Sequence, residues 1–257
     1  MYKSIVTEIV KRQKPKLLVI NASAFSQGNW NLTDEVYLRK WIDNMPMSQN
    51  KLDTVETIPK NINKDDEEVK DNISDTLYFP LEKYHGNWKD PEAVYTSFVT
   101  RAYMRLSGGG YLKGFYSKTG ITGGRDNLAN IGQPTKEAYV LTDECRAYLK
   151  ELLSYCNKLG IEHVLLLQPP HETQAADKSG LEQIESITKA YGYDFLDLST
   201  DYESIAGIDD SHDFADFEHL NAYGAKKLTA YIGNMAVNQY GKSLIRQNQS
   251  FQYGKSL

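Results

Sequence analysis

Three short apolar runs limit what this chain can become. Leu17-Leu18-Val19-Ile20, Val164-Leu165-Leu166-Leu167 and Phe195-Leu196-Asp197-Leu198 are each about four residues long. Continuous apolar runs of that length suit strands covered on both faces, as in parallel sheets. Segments of helical period separate them. Cys145, Leu149, Leu152, Cys156 and Leu159 recur in helical phase, with Thr142 as a cap and Gly160 as a stop. Leu181, Ile184, Thr188 and Tyr191 do the same before Gly192, and Ala225, Leu228, Ile232 and Met235 do so after Asn221. A further helix over residues 1–13 ends at Lys14-Pro15, because the residue before proline avoids the helical region. Thr33 can cap another that turns Val36, Leu38, Trp41, Ile42 and Met45 inward. Helices alternating with short strands predict an α/β fold with a mostly parallel sheet.

Composition narrows the function. The chain has 257 residues, with 29 Lys and Arg against 34 Asp and Glu, a formal charge of −5. Nucleic acid is therefore not expected as a partner. No apolar run reaches the ~20 residues of a membrane helix, and Met1 opens on Tyr2, Lys3 and Ser4 rather than on a secretory signal. Cys145 and Cys156 lie about 16 Å apart along one predicted helix, too far to bridge.

Between residues 60 and 140 the pattern blurs. Residues 60–75 are a charged stretch read as an exposed loop, and Tyr78, Phe79, Tyr84, Trp88, Tyr95, Phe98 and Tyr103 follow. Residues 107–124 hold seven glycines but no Gly-Lys-Ser/Thr ending, so a phosphate loop is not supported. The tail carries QYGKSL twice, at 239–244 and 252–257, and reads as frayed.

In parallel sheets ligands bind beyond the carboxyl ends of the strands. That directs attention to Asn21–Gly28, Gln168–Gln174 and Ser199–His219. His212 and His219 each follow an aspartate by three residues, Asp209 and Asp216. A carboxylate so placed can hold one ring nitrogen and leave the other free as a base. Asp216/His219 lies just before the last helix and is the candidate pair; a capping turn with a surface histidine is the plainer alternative. Asp209/His212 falls in the acidic run GIDDSHDF and reads as a solvated loop. His171 follows Pro169-Pro170, and His85 stands among aromatics in KYHGNW; each is a candidate substrate contact, as is Asn21. His163 opens a strand and reads as structural. No histidine or cysteine pair has metal-ligand spacing, so neither metal nor cofactor is expected.

DFEHLNAYGAKKLTAYIG at 216–233 resembles the last conserved block of the SGNH/GDSL hydrolases. KPKLLVI at 14–20, WIDNMPMSQNKLDTVETIP at 41–59, YFPLEKYHGNW at 78–88, LKGFYSKTGIT at 112–122 and YLKELLSYCNKLGIEHVLLLQPP at 148–170 are similar to a bacterial branch of that superfamily. The branch is DltD-like and alginate-O-acetylation-like. The resemblance implies a three-layer α/β/α sandwich over residues 1–238, with an irregular insertion at about 60–140. It implies His219 as general base, Asp216 as its orienting partner and Asn221 as the cap of the following helix. It also implies a nucleophilic serine after a first strand, in a Gly-Asp-Ser or Gly-Ser-Ser turn that this chain lacks. Ser23 and Ser26 follow a strand without the preceding glycine and are weak substitutes. The chain thus reads as a protein without its first strand, which would leave an open edge beside residues 16–21. The implied activity is an ester hydrolase or O-acyltransferase acting on acylated carbohydrate or cell-envelope polymer, inactive as this fragment. The implied setting is extracytoplasmic and membrane-tethered in a full-length form, beside a membrane-bound acyltransferase. The alternative is a non-catalytic carbohydrate-binding or accessory module that uses the aromatic region at 78–116.

Overall fold

The computed structural model describes residues 2–26, 42–43, 45–61, 78, 91–92, 95–96, 98–99, 102, 140–170, 178–215 and 219–241. In chain order the elements are α1 (Tyr2–Arg12), β1 (Leu17–Asn21), α2 (Ser23–Ser26), α3 (Gln49–Asn61), α4 (Asp143–Lys158), β2 (His163–Gln168), α5 (Ser179–Ala190), β3 (Asp194–Asp197), α6 (Tyr202–Ala206) and α7 (Ala222–Tyr240). The fold is mixed α/β around a three-stranded, all-parallel sheet of order β1-β2-β3. The chain divides into two compact units. One holds Met1–Lys14 and Gln27–Ser117, the other Pro15–Ser26 and Lys118–Leu257.

The second unit contains the sheet. Leu17 pairs with His163 and Asn21 with Leu167; Leu165 pairs with Asp194 and Gln168 with Asp197. Backbone bonds from Ala22 N to Leu167 O (2.7 Å) and from Leu198 N to Gln168 O (3.0 Å) carry both ladders one residue further. The central strand β2 is buried from Val164 to Gln168, as its unbroken apolar run requires. β1 departs from that pattern: Ile20 is buried but Val19 is 43% exposed. The reason is position. Among the described residues β1 is an outer strand, with a neighbour on one side only.

Helix boundaries follow local chemistry. Thr142 accepts a hydrogen bond from Cys145 N (3.2 Å) and so caps α4, whose Asp143 and Glu144 lie at the positive end of its dipole. Gly160, just past that helix, takes φ +68°, a conformation costly for any residue with a Cβ. α4 buries Leu149, Leu152, Leu153 and Cys156, and α5 buries Leu181, Ile184 and Thr188. Helices α2, α4 and α5 pack on one another. A further cluster joins Leu167, Leu198, Tyr202, Ile208 and Phe214 to Leu220, Leu228 and Ile232, which fixes α6 and α7 against β2 and β3.

In the first unit α1 packs against α3. Val6 and Val55 are buried there. Thr54 Oγ1 donates to Ser4 Oγ (2.6 Å), and Asn50 Nδ2 donates to Ser4 O (3.0 Å) and Glu8 Oε1 (2.8 Å). Hydrogen bonds from Lys11 and Asn50 hold the Glu8 carboxyl below its usual range. Helices α3 and α6 are not foreseen by the sequence reading. α3 offers few apolar residues in phase, and α6 is only five residues long. The Thr33-capped helix, the charged loop and the glycine-rich segment fall largely or wholly outside the described residues, as does the repeated tail after Gly241. Of the cap-proximal apolar set, Ile42 is described and is fully buried. Among the described residues no helix is long and apolar enough to cross a membrane.

Candidate functional site around the start of the last helix

Helix α7 orients the site. Near its end, Tyr240 donates from its hydroxyl to Asp194 Oδ2 (2.6 Å) and stacks on His163 at 4.2 Å. Asp194 and His163 begin β3 and β2, so this end of α7 stands at the amino edge of the sheet. Burial and the Asp194 carboxylate push the Tyr240 phenol well above its usual range, which suits a structural anchor. The helix is 19 residues long, about 28 Å at 1.5 Å per residue. Leu228 and Ile232 lay it along the sheet, so its first turn reaches the carboxyl edge. Leu220, just before the helix, packs against the cluster that includes Leu167 and Leu198.

The residues on either side of 216–218 pair with each other. Phe214 and Leu220 form an antiparallel bridge. Ala215 N donates to His219 O (2.8 Å), and Asn221 N donates to Asp213 O (2.9 Å). Asn221 is 1% exposed. Its Oδ1 accepts from Tyr223 N (2.9 Å) and Gly224 N (3.1 Å), satisfying two donors of the first helical turn. Its Nδ2 donates back to His212 O (2.6 Å). The cap implied for Asn221 is thus present, and it is tied to the preceding loop as well.

The acidic run before α7 departs from its reading in part. GIDDSHDF reads as a solvated loop, and Asp209, Ser211 and His212 are indeed exposed, but Ile208, Asp213 and Phe214 are fully buried. Asp209 does not hold the His212 ring. Its carboxylate accepts from Ser211 N and Oγ (2.8 and 2.7 Å), which keeps it below the usual range. The partner of His212 is the next residue: Nδ1 lies 2.9 Å from Asp213 Oδ1. The other oxygen, Oδ2, accepts from Lys227 Nζ (2.6 Å) and Asp209 N (2.8 Å). Burial by itself raises the Asp213 pKa. The bonds from Asp209 N, His212 and Lys227 outweigh it, and the carboxyl titrates below its ordinary value. Tyr223 tilts against the His212 ring at 4.7 Å. No sequence signal links Asp213 to Lys227, 14 residues away; the turn into α7 brings them together.

His219 is exposed at the hairpin. Asp216, its expected carboxylate, lies outside the described residues, as do His171 and His85. Asn21 and Ser23 are brought together at the carboxyl end of β1. Ser23 N and Oγ both donate to Asn21 Oδ1, at 2.9 and 2.7 Å. That Oγ thus donates to an amide oxygen. Ser26 ends α2, and its side chain lies outside the described set. A polar cluster missed by the sequence reading stands at the carboxyl end of β3. Lys178 Nζ donates to Ser199 Oγ (3.1 Å) and Thr200 Oγ1 (3.0 Å) and is 3.9 Å from Asp197 Oδ2. Ser199 is 1% exposed, so the cluster is built to hold the loop rather than to attack a substrate. Among the described residues no group of histidine, cysteine and carboxylates is arranged to hold a metal ion. Comparison of the chain with protein-family models, curated proteins and solved structures returns no match.

Proposed function

We propose that this chain carries the histidine-bearing part of an SGNH-type ester hydrolase or O-acyltransferase, arranged as an α/β/α sandwich. Its substrate is an acylated carbohydrate or cell-envelope polymer, and its setting is extracytoplasmic and membrane-tethered, beside a membrane-bound acyltransferase. One observation carries the reading. The segment that resembles the family's last block leads through His219-Leu220 and the Asn221 cap into α7, with Leu220 packed against the cluster of Leu167 and Leu198 at the ends of β2 and β3, and acyl-transfer bases belong near such strand ends. In this mechanism His219 takes the proton of a serine hydroxyl. The serine oxygen bonds the acyl carbon, and the protonated imidazole returns the proton to the departing alcohol. Asp216 holds the imidazole tautomer and stabilises its charged form. Backbone N–H groups near the serine hold the oxyanion. Ser23 is not assigned as that serine, since its Oγ donates to Asn21 Oδ1 (2.7 Å).

A fluorophosphonate probe and an activated acetyl ester test the assignment of the serine. Residues 1–257 alone are expected to hydrolyse the ester slowly and to resist labelling. Stoichiometric labelling at Ser23 or Ser26 would place the nucleophile inside this chain and overturn that assignment.

A further inference from the structure

We propose that Asp213 is a positioning residue for His219, and that its pairing with Lys227 sets where the His219 arm of the hairpin stands. The proposal rests on the acyl-ester reading for its kinetic consequence but not for its geometry. Asp213 reaches three separate pieces of chain. Its carboxylate accepts from Asp209 N in the preceding loop and from Lys227 Nζ in the second turn of α7. Its carbonyl accepts from Asn221 N, two residues from His219 on the opposite arm. The same carbonyl oxygen lies 2.3 Å from where a Cβ on Gly224 would stand, so α7 begins against Asp213 with no side chain between them.

The chemistry of the pair explains why charge matters. Asp213 has no solvent exposure, and its Oδ2 accepts from two donors while Oδ1 faces His212 Nδ1. An amide in its place removes the negative charge that faces the Lys227 ammonium and cannot accept at both positions. The tie between Asp213 and α7 is thereby weakened. Asp213 is linked to His219 through described backbone: its carbonyl accepts from Asn221 N, Phe214 bridges Leu220, and Ala215 N donates to His219 O. Misplacing a catalytic group by about 1 Å costs on the order of 10²-fold in rate.

The test compares Asp213→Asn, Lys227→Met and Lys227→Arg in the full-length protein, at temperatures where melting curves show each variant folded. Roughly 10- to 100-fold lower kcat for acetyl-ester turnover is expected in Asp213→Asn and Lys227→Met, with KM within about twofold. Lys227→Arg should restore most of the rate. The double variant Asp213→Asn/Lys227→Met should be no slower than Asp213→Asn, because both remove one pair. In parallel, histidine-selective 15N spectra of residues 1–257 follow the His219 ring. A shifted or broadened His219 resonance in Asp213→Asn supports positioning even where the wild type turns over no ester, an outcome that would sink only the acyl-ester reading. A folded Asp213→Asn with unchanged kcat, or with unchanged His219 resonances, overturns the proposal.

Discussion

Asn221 shows how much one residue can hold at the start of a helix. Its side chain caps two N–H groups of α7 and donates to the carbonyl of His212. A simple cap is worth about 1 kcal/mol, and leaving a buried carbonyl unpaired adds about 1–3 kcal/mol. Asn221→Ala is therefore expected to destabilise by about 2–4 kcal/mol, measured by urea unfolding; a loss below 1 kcal/mol would mean that the bond to His212 O contributes nothing. Gly224 is constrained by space, not by φ. Its missing Cβ would meet the Asp213 carbonyl at 2.3 Å and Leu220 Cδ2 at 2.9 Å. Gly224→Ala, which elsewhere in a helix adds stability, should here cost about 1–3 kcal/mol by overpacking. Gly233, with nothing near its Cβ position, is the control, and Gly233→Ala should stabilise by about 0.5–1 kcal/mol.

Elements differ in how plainly the sequence announces them. β2, α4, α5 and α7 combine a strong apolar pattern with capping or stopping residues, and they stand within a residue or two of where that pattern puts them. β3 is four residues and none of them is fully buried, yet its apolar phase is enough. α3 is legible only through its contacts: Thr54 and Asn50 bond across to Ser4 and Glu8, polar pairings that no periodicity signals. The loop before α7 misleads for the same reason. Three carboxylates in GIDDSHDF suggest water, but tertiary partners decide: Asp213 goes inside because Lys227 and a backbone N–H meet it there. Asp209 and Asp213 are one turn apart and have opposite environments. The Asn221 cap is readable from the motif, whereas Asp213 and Lys227 depend on the turn that joins them.

The whole molecule should register the Asp213 carboxylate as a pH dependence of stability. Its folded pKa lies below the ordinary carboxyl value near 3.9. A depressed folded pKa gives stability that is present above the unfolded pKa and lost as pH falls through the folded one. The difference in Tm between wild type and Asp213→Asn is therefore expected to be large at pH 7 and to shrink below about pH 4. A gap that stays constant down to pH 2.5 would show that the carboxylate is not the ionised partner of Lys227.

Function is decided at the same scale, since the proposed chemistry needs the serine, the hairpin and the sheet edge in one assembled protein. The most direct measurement is acetyl-ester turnover by the full-length protein and its histidine variants. His219→Ala should lower kcat by several orders of magnitude, because a triad without its base retains only the oxyanion and binding contributions, on the order of 10³–10⁴ over water. Asp216→Asn should also lower it strongly by favouring the wrong tautomer. His212→Ala removes the ring whose Nδ1 faces Asp213 Oδ1 and leaves the bonds from Asp209 N and Lys227 in place, so it should cost less than about tenfold. Equal losses at His212 and His219, or no turnover of any acyl ester by the full-length wild type, would contradict the account and favour a carbohydrate-binding role.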